Sequence, residues 1–480
     1  MSDRQSAAVH SVDQASTTPL WIDRLTEGLG GRDRAGRDVP RRPPLDGDLD
    51  VDVAVVGGGF SGLWTAWYLS QLQPSARIVV LEREYCGFGA SGRNGGWAVG
   101  ELAGSHDRYA ALSSHEDALR LERAIFDAVD EIGRVAADEG IDCDYVKGGN
   151  IRVARTRPQA ERQRREVTDA HERGLTDDQI RLLGPDEARR HFGATDVRSG
   201  IFFAPCAALD PARLVRGLAD AVEGRGATIH EGTTVTALGP GRVTTTAGTV
   251  TASVTVGALE AYTGSVAGRA RDLLPVYSLM IATEPLPPEV FDEIGLDGRP
   301  TFGDDRHIVT YGQRTADDRI AFGSQGVPYR YGSHVDPATE RRLSSHRRIR
   351  DVLVDMAPVL ATATVTHRWG GVLGIPRNWT PAVSFDRASG VATLGGYVGE
   401  GVAAANLAGR TLADLIAGVD SERTTLPWVG AVNRRWEPEP FRWAGVRSSR
   451  AFLGAADRRE ARTDRPARAA AWLARTLRGD

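Results

Sequence analysis

The chain has 480 residues, 41% of them hydrophobic and 25% charged, and its formal net charge is −4 at pH 7. This composition is typical of a soluble globular protein, and it argues against a disordered chain and against attraction of nucleic acid by overall charge. The length exceeds what one compact core usually holds, so we predict two lobes. No uninterrupted apolar run is long enough to cross a bilayer, and the polar first residues lack a signal-peptide core, which predicts a cytoplasmic protein.

Few residues suit metal or covalent chemistry. The three cysteines, Cys86, Cys143 and Cys206, are too sparse for a disulfide scaffold or a cysteine-rich zinc site, and we expect no bound metal. Lys147 is the only lysine, so an enzyme that forms a Schiff base would have to use it.

The first elements predict a nucleotide-binding unit. Residues 1–47, rich in Arg, Asp, Gly and Pro, are predicted to form an extended arm anchored by Leu20, Trp21 and Ile22. A continuous apolar run at 51–56 predicts a strand buried on both faces of a parallel sheet. Apolar residues at helical spacing follow it, and the run ARIVVLERE predicts a second strand at 77–82. Together they predict the β-α-β unit that dinucleotide binding requires.

A glycine-rich turn joins the first strand to its helix, with the spacing Gly57-x-Gly59-x-x-Gly62. In dinucleotide-binding folds the first glycine permits the tight turn, the second lets the backbone approach a pyrophosphate, and the third lets helix and strand pack closely. The helix N-terminus would then face phosphate charge. Glu82 ends the second strand, where a carboxylate accepts hydrogen bonds from ribose hydroxyls.

A second glycine cluster, CGFGASGRNGGW at 86–97, follows this acid directly. A plain NAD domain does not need it, whereas a flavin needs more protein around its isoalloxazine ring. The small residues of the cluster would let the backbone run beside the pyrophosphate and the ring, which favours FAD over NAD.

The middle of the chain predicts alternating structure. Residues 106–204 are predicted to be largely helical, with a short strand near GGNIRVA. Asp210 and Pro211 suit the N-cap and first position of a helix within 209–229. Residues 271–375 are predicted to be rich in strands, with one charged helix near 337–356.

A third glycine-rich turn, in ATLGGYVGEGVAAANLAG, lies far along the chain and opens a predicted helix at 402–417. Its glycines are Gly396, Gly399 and Gly401. The positive end of this helix would face the N1–C2 carbonyl side of a flavin and stabilise its reduced form by about 0.3–1 kcal/mol.

These motifs resemble those of the D-amino-acid-oxidase-type (DAO) FAD-dependent oxidoreductases. The resemblance rests on VDVAVVGGGFSGLWTAWYL, VVLERE, GFGASGRNGG and GGYVGEGV, covers about residues 45–420, and is closest to the γ-glutamylputrescine oxidoreductase branch. It implies an α/β protein with a discontinuous Rossmann-type FAD-binding domain (48–105, 205–270 and 365–423) and a substrate domain on a mixed or antiparallel sheet (106–204 and 271–364). An arginine-rich tail, 424–480, would follow. The family dehydrogenates carbon–nitrogen bonds, and the resulting imine hydrolyses.

The resemblance also implies a set of cofactor-binding residues. The first turn would bind the pyrophosphate, Glu82 the ribose, the second cluster the pyrophosphate and flavin, Val235 the adenine, and the third turn the pyrimidine end of the ring. The predicted set is Gly57, Gly59, Phe60, Ser61, Gly62, Glu82, Arg83, Gly89, Ala90, Ser91, Arg93, Asn94, Gly95, Gly96, Val235, Gly396, Val398, Gly399 and Gly401.

Three departures from the family pattern bear on the chemistry. Leu259 stands where the family has a glycine, so the resemblance does not carry over the family's cofactor contact at this position. Some relatives activate oxygen with a lysine beside the flavin, and the stretch around Lys147 does not match that site. Some bind FAD covalently through a late cysteine, whereas no cysteine follows Cys206, so we predict non-covalent FAD.

In this family the flavin breaks the bond, and the protein supplies binding, orientation and electrostatics. The candidates to point over the ring are Trp97, Tyr277, Tyr311, Arg368 and Trp369, with Met280 beside Tyr277. Aromatic side chains would cage an alkylamine, and Arg368 would hold a carboxylate. The alternative for most of them is that they fill the core.

The predicted partners are a small amine or amino acid and an electron acceptor, either oxygen or another. The same fold also removes hydride from carbon–oxygen bonds, so dehydrogenation of a 2-hydroxy acid is the alternative. A nucleotide-binding regulator without turnover is a further one. The terminal RPARAAAWLARTLRG suits either a basic helix on a membrane surface or a helix docked on the protein, and we favour the second.

Overall fold

The computed structural model describes residues 11–27, 39–327, 329–467 and 469. The strands, in chain order, are β1 (Leu49–Val56), β2 (Ile78–Leu81), β3 (Trp97–Val99), β4 (Asn150–Ala154), β5 (Ile180–Leu183), β6 (Ser199–Phe203), β7 (Cys206–Ala208), β8 (Thr228–His230), β9 (Val235–Gly239), β10 (Arg242–Thr245), β11 (Thr249–Gly257), β12 (Leu273–Thr283), β13 (Thr301–Asp304), β14 (Thr310–Arg314), β15 (Ile320–Val327), β16 (Val365–Pro376), β17 (Ala382–Asp386) and β18 (Val391–Gly395). The α-helices are α1 (Leu20–Glu27), α2 (Phe60–Leu72), α3 (His106–Leu112), α4 (His115–Asp138), α5 (Arg157–Glu172), α6 (Pro185–His191), α7 (Pro211–Gly224), α8 (Pro288–Ile294), α9 (Pro337–Glu340), α10 (Leu343–Met356), α11 (Gly401–Ala417) and α12 (Phe441–Thr463).

The first sheet has the strand order β17-β18-β11-β1-β2-β8, and β10 and β9 extend it beside the first half of β11. Strand β1 lies at its centre and pairs in parallel with both β2 and β11. The last four residues of β1 are buried, as expected of a strand covered on both faces. The predicted β-α-β unit is therefore confirmed.

The second sheet has the order β16-β12-β15-β14-β13-β4-β6-β5. Its neighbouring strands are antiparallel except for the parallel pair of β13 and β4. This confirms the predicted mixed or antiparallel sheet. Strands β5 and β6 lie in the segment 106–204, where the sequence predicted one short strand only.

Helices α2 and α11, which follow the first and third glycine-rich turns, pack directly on each other. A Cβ at Gly409 of α11 would lie 2.7 Å from the Cβ of Trp64 and 2.8 Å from the Thr65 nitrogen of α2. Helix α2 is buried over nearly its whole length. The close contact fixes the two helices relative to each other.

The two ends of the described chain both pack on the body of the protein. Part of the predicted extended arm is helical instead, because Leu20, Trp21 and Ile22 bury their side chains as part of α1. In the predicted tail, α12 contacts the body of the protein through Asp457 and Glu460, which bond to His307 and Arg162. Most of the terminal RPARAAAWLARTLRG lies outside the described residues. Among the helices that the structure describes, none is both long enough and apolar enough to span a membrane.

Candidate active site

The first glycine-rich turn has room for backbone only. A Cβ at Gly57 would lie 2.4 Å from the Ala258 carbonyl oxygen, and one at Gly62 would lie 2.0 Å from the Gly57 oxygen. Gly57 also has φ +115°, which side chains rarely adopt. Gly59 caps α2 without a side chain. The turn therefore presents the helix N-terminus through bare backbone, as phosphate binding requires.

The second cluster folds into a loop that Asn94 holds together. The Asn94 amide nitrogen donates to the carbonyl oxygens of Ala90 at 3.1 Å and Ser91 at 3.0 Å, and its oxygen accepts from the Gly96 nitrogen at 2.7 Å. From β14, the buried Gln313 donates to the Gly95 oxygen at 2.7 Å. These bonds fix the loop in one shape.

The three glycine-rich segments meet at one place. The Ser91 hydroxyl accepts a hydrogen bond from the Phe60 nitrogen at 2.9 Å, and a Cβ at Gly59 would lie 2.9 Å from the same oxygen. The hydroxyls of Ser61 and Tyr397 are 2.9 Å apart. The first turn therefore contacts the second through Ser91 and the third through Tyr397.

Glu82 lies at the end of β2 beside the first turn. Its carboxylate accepts from the Gly58 nitrogen at 2.8 Å and from the Glu84 nitrogen at 2.9 Å. Burial raises the pKa of Glu82, and the two N–H donors oppose that rise. Val235 packs against the apolar cluster that contains Val56 and Leu81, the last residues of β1 and β2. The Arg83 guanidinium lies 5.1 Å from the centre of the Tyr262 ring.

A cavity of about 1000 Å³ opens where the second and third segments meet. The loop contributes Ala90, Arg93, Asn94, Gly95 and Trp97, and the third turn contributes Val398, Gly399 and Glu400. From the second sheet come Ser278, Met280, Tyr311, Gly371 and Leu373.

Two of the five candidate residues, Trp97 and Tyr311, line this cavity. Their rings meet edge to face, with centroids 6.0 Å apart. The Tyr311 hydroxyl bonds to the hydroxyl of Ser278, and burial raises the pKa of Tyr311 to about 12. Tyr311 is therefore protonated at neutral pH.

The other three candidates do not line the cavity. Tyr277 lies on the opposite face of β12 from Ser278 and Met280, and its hydroxyl accepts from the Asp336 nitrogen at 2.7 Å. Arg368 donates to the Arg341 carbonyl oxygen at 3.0 Å. Trp369 is buried behind the loop, where its ring nitrogen donates to the Arg93 oxygen at 2.9 Å.

We expect Trp369→Phe to lower the free energy of unfolding by about 1–3 kcal/mol, because the Arg93 carbonyl loses its donor. Urea unfolding of the two proteins measures the difference. The matched control is Trp97→Phe, since the buried ring nitrogen of Trp97 has no hydrogen-bond partner among the described residues. Equal stability of wild type and Trp369→Phe would contradict a supporting role.

The far end of the cavity is strongly charged. Arg152 bonds to Glu166 and, at 3.2 Å, to Asp305. Burial raises the pKa of Asp305 to about 6, although the positive charge of Arg152 acts to lower it. Arg162 donates to Glu460 of α12 at 2.9 Å. Although burial opposes ionisation, a His307 hydrogen bond and the Arg162 charge help to lower the pKa of Glu460 to about 2.

Sequence reasoning missed several of these residues. Gln313 was missed, although it lies two positions after the predicted candidate Tyr311 on β14. Because residues two positions apart share one face of a strand, this spacing could have indicated that Gln313 also points toward the site. Glu460 belongs to the predicted tail, and nothing in the local sequence indicates that α12 supplies a wall of the cavity.

Comparisons with known proteins agree with this geometry. A family model described as DAO, FAD dependent oxidoreductase, matches residues 52–415. The chain is 29% identical over 412 residues to a probable oxidoreductase OrdL of Rhizobium meliloti, covering 84% of this chain and 91% of that protein. It is also 29% identical over 385 residues to gamma-glutamylputrescine oxidoreductase of Escherichia coli, covering 79% and 86%.

Solved structures share the fold. Glycine oxidase from Geobacillus kaustophilus superposes with a TM-score of 0.63 at 19% identity, covering 78% of this chain and 96% of that one. L-Amino acid deaminase from Proteus myxofaciens gives a TM-score of 0.64 at 16% identity, covering 82% and 96%. With a matching family model over most of its length and the three converging turns, the chain belongs to the DAO family of FAD-dependent oxidoreductases.

Proposed function

We propose that this enzyme holds FAD without a covalent bond and dehydrogenates a carbon–nitrogen bond of a small amine or amino acid. The observation that carries the proposal is that three distant glycine-bearing segments contact one another beside a cavity that the second and third of them line. A regulator without turnover has no need of the second and third segments.

The residues present fit this cofactor. The bare backbone of the first turn would hold the pyrophosphate, Glu82 the ribose and Val235 the adenine. The loop around Asn94 and the turn containing Gly399 would hold the flavin ring. When bound, FAD supplies the hydride acceptor. The three cysteines are buried and none of them is among the residues that line the described cavity, which supports non-covalent binding.

On the substrate side, the protein's own residues favour a neutral amine. An amine must lose its proton before it gives up hydride, and a site that excludes water lowers the pKa of a bound amine. Trp97, Tyr311 and Met280 form an apolar and aromatic wall that does this. Tyr311 stays protonated and therefore adds no negative charge that would hold the amine as a cation.

The named activities of the relatives support an amine over an alcohol. The curated relative carries gamma-glutamylputrescine in its name, and the structural relatives carry glycine and L-amino acids. All three are compounds with carbon–nitrogen bonds. The charged far end of the cavity further favours a polar substrate over an apolar one.

The test begins with the purified protein. We expect heat treatment to release FAD into the supernatant. We then expect the flavin absorbance to bleach without oxygen in the presence of one class among polyamines, N-methyl amino acids, D-amino acids and amino phosphonates. Bleaching by 2-hydroxy acids alone would favour the alternative, and a protein that neither contains nor binds FAD would overturn the proposal. Readmitting oxygen to the bleached enzyme tests whether oxygen is the electron acceptor.

A further inference from the structure

Glu260 is an acidic residue that the function above does not use, and its carboxylate is bonded to the backbone of the third turn. One oxygen accepts from the Gly396 nitrogen at 2.8 Å and from the Tyr397 nitrogen at 3.0 Å. The other accepts from the Gly374 nitrogen of β16 at 3.1 Å. In the described part of the chain, no arginine or histidine forms an ion pair with it. Three backbone N–H groups therefore hold this carboxylate.

The turn that Glu260 holds has an unusual backbone. Val398 has φ +61°, a rare conformation for a β-branched residue, and Gly395, Gly396 and Gly399 also have positive φ. Glu260 itself has φ +45°. Such conformations persist only where the surroundings hold them, and they concentrate at functional sites. Two strained segments that are bonded to each other indicate that the geometry of this turn matters.

The strained turn is also the part of the protein that faces the cavity. Val398, Gly399 and Glu400 line it, and α11 begins immediately afterwards at Gly401. Any shift of Gly396 or Tyr397 would move these residues and the N-terminus of α11. Gly374 also ties the carboxylate to the strand that contributes Gly371 and Leu373 to the same cavity.

We propose that Glu260 is a positioning residue that fixes this turn against the flavin ring, and that its negative charge lowers the reduction potential of the bound flavin. The inference rests on the proposed binding of FAD. Burial raises the pKa of Glu260, whereas its three backbone N–H donors oppose that rise and favour the carboxylate. A negative charge behind the turn opposes the charge that builds on a flavin as it is reduced. It therefore offsets part of the stabilisation from the helix dipole of α11. Removal of this charge should favour the reduced flavin.

The test compares three substitutions in the holoenzyme. Glu260→Gln keeps the size and one acceptor but removes the charge, so we expect at least a tenfold shift toward reduced flavin, about 30 mV upward for a two-electron couple. Glu260→Asp keeps the charge but is too short to reach all three donors, so we expect weaker FAD binding with less change in potential. Glu260→Ala should lose both properties. Dye-equilibrated reduction measures the potential, and fluorescence titration of the apoprotein measures FAD affinity.

The matched control is Asp414→Asn at the opposite end of α11, where the buried carboxylate bonds to Ser421 and Arg423. We expect it to leave the flavin potential unchanged. An unchanged potential in Glu260→Gln would overturn the inference, whether or not FAD affinity falls, because it would leave only a structural role. A wild-type protein without FAD would instead defeat the proposed function, so the two failures are distinguishable.

Discussion

Gly62→Ala is expected to weaken FAD binding about 100-fold. The added Cβ would lie 2.0 Å from the Gly57 carbonyl oxygen and 3.0 Å from a Val55 methyl group. Both belong to the strand and turn that α2 packs against, so relief requires α2 to move away from β1. Overpacking costs about 1–3 kcal/mol, and a clash with backbone belongs at the upper end. If this cost falls on the cofactor-binding conformation, the FAD dissociation constant rises about 100-fold.

Fluorescence titration of the apoprotein with FAD measures this loss, and urea unfolding reports the accompanying change in stability. The matched control is Gly445→Ala in α12, where an added Cβ meets nothing within 4 Å. Because alanine favours helix over glycine by up to about 1 kcal/mol, this variant should be as stable as wild type or slightly more so, with unchanged FAD affinity. Wild-type affinity in Gly62→Ala would contradict the packing role of this glycine.

The nucleotide-binding half of the fold was predictable because its signals are local. The apolar strand, the glycine spacing and the acid at the next strand end all fall within residues 51–82. Together they indicate the dinucleotide-binding unit of a parallel sheet. Asp210 was predictable on the same grounds, since its side chain accepts from the Ala212 and Arg213 nitrogens and caps α7. Segment 106–204 hid strands β5 and β6, which are short and lie between charged helices.

For β12 and β16 of the second sheet, the sequence did not indicate which face of the strand lines the cavity. Strand β12 is buried along most of its length, so its sequence shows no alternation that would separate Tyr277 from Ser278. The register between β12 and β15 also shifts at this point. The paired glycines after Trp369 have different partners, since Gly370 faces the Leu279 side chain and Gly371 faces the cavity.

Contacts between distant segments account for the rest of the site. Glu260 reaches Gly396 across 136 residues, Gln313 reaches Gly95 across 218, and His307 reaches Glu460 across 153. A window of sequence contains only one member of each pair. Such residues become visible only when the fold brings both partners together.

Trp97→Ala is expected to lower kcat/KM for the amine substrate by up to about 30-fold with FAD still bound. Contact with the Trp97 ring that removes about 80 Å² of apolar surface from water contributes about 2 kcal/mol, and each 1.36 kcal/mol corresponds to a factor of ten in rate. The loss should be small in Trp97→Phe, because the phenyl ring keeps the wall and the indole nitrogen has no partner to lose among the described residues. Steady-state rates at fixed pH, with the substrate identified by the bleaching screen, measure both variants.

The pH dependence of kcat distinguishes two effects of Trp97→Ala, namely the entry of water beside the amine and a change in the shape of the cavity. The rising limb reports the amine of the bound substrate losing its proton, and burial against Trp97 lowers that pKa by desolvation. Because Trp97→Ala admits water, the pKa of the bound amine rises and the limb moves to higher pH, whereas Trp97→Phe leaves it in place. Tyr311 cannot produce this limb near neutral pH, since burial raises its pKa to about 12. A limb that stays fixed in Trp97→Ala while kcat/KM falls would show that Trp97 only shapes the cavity.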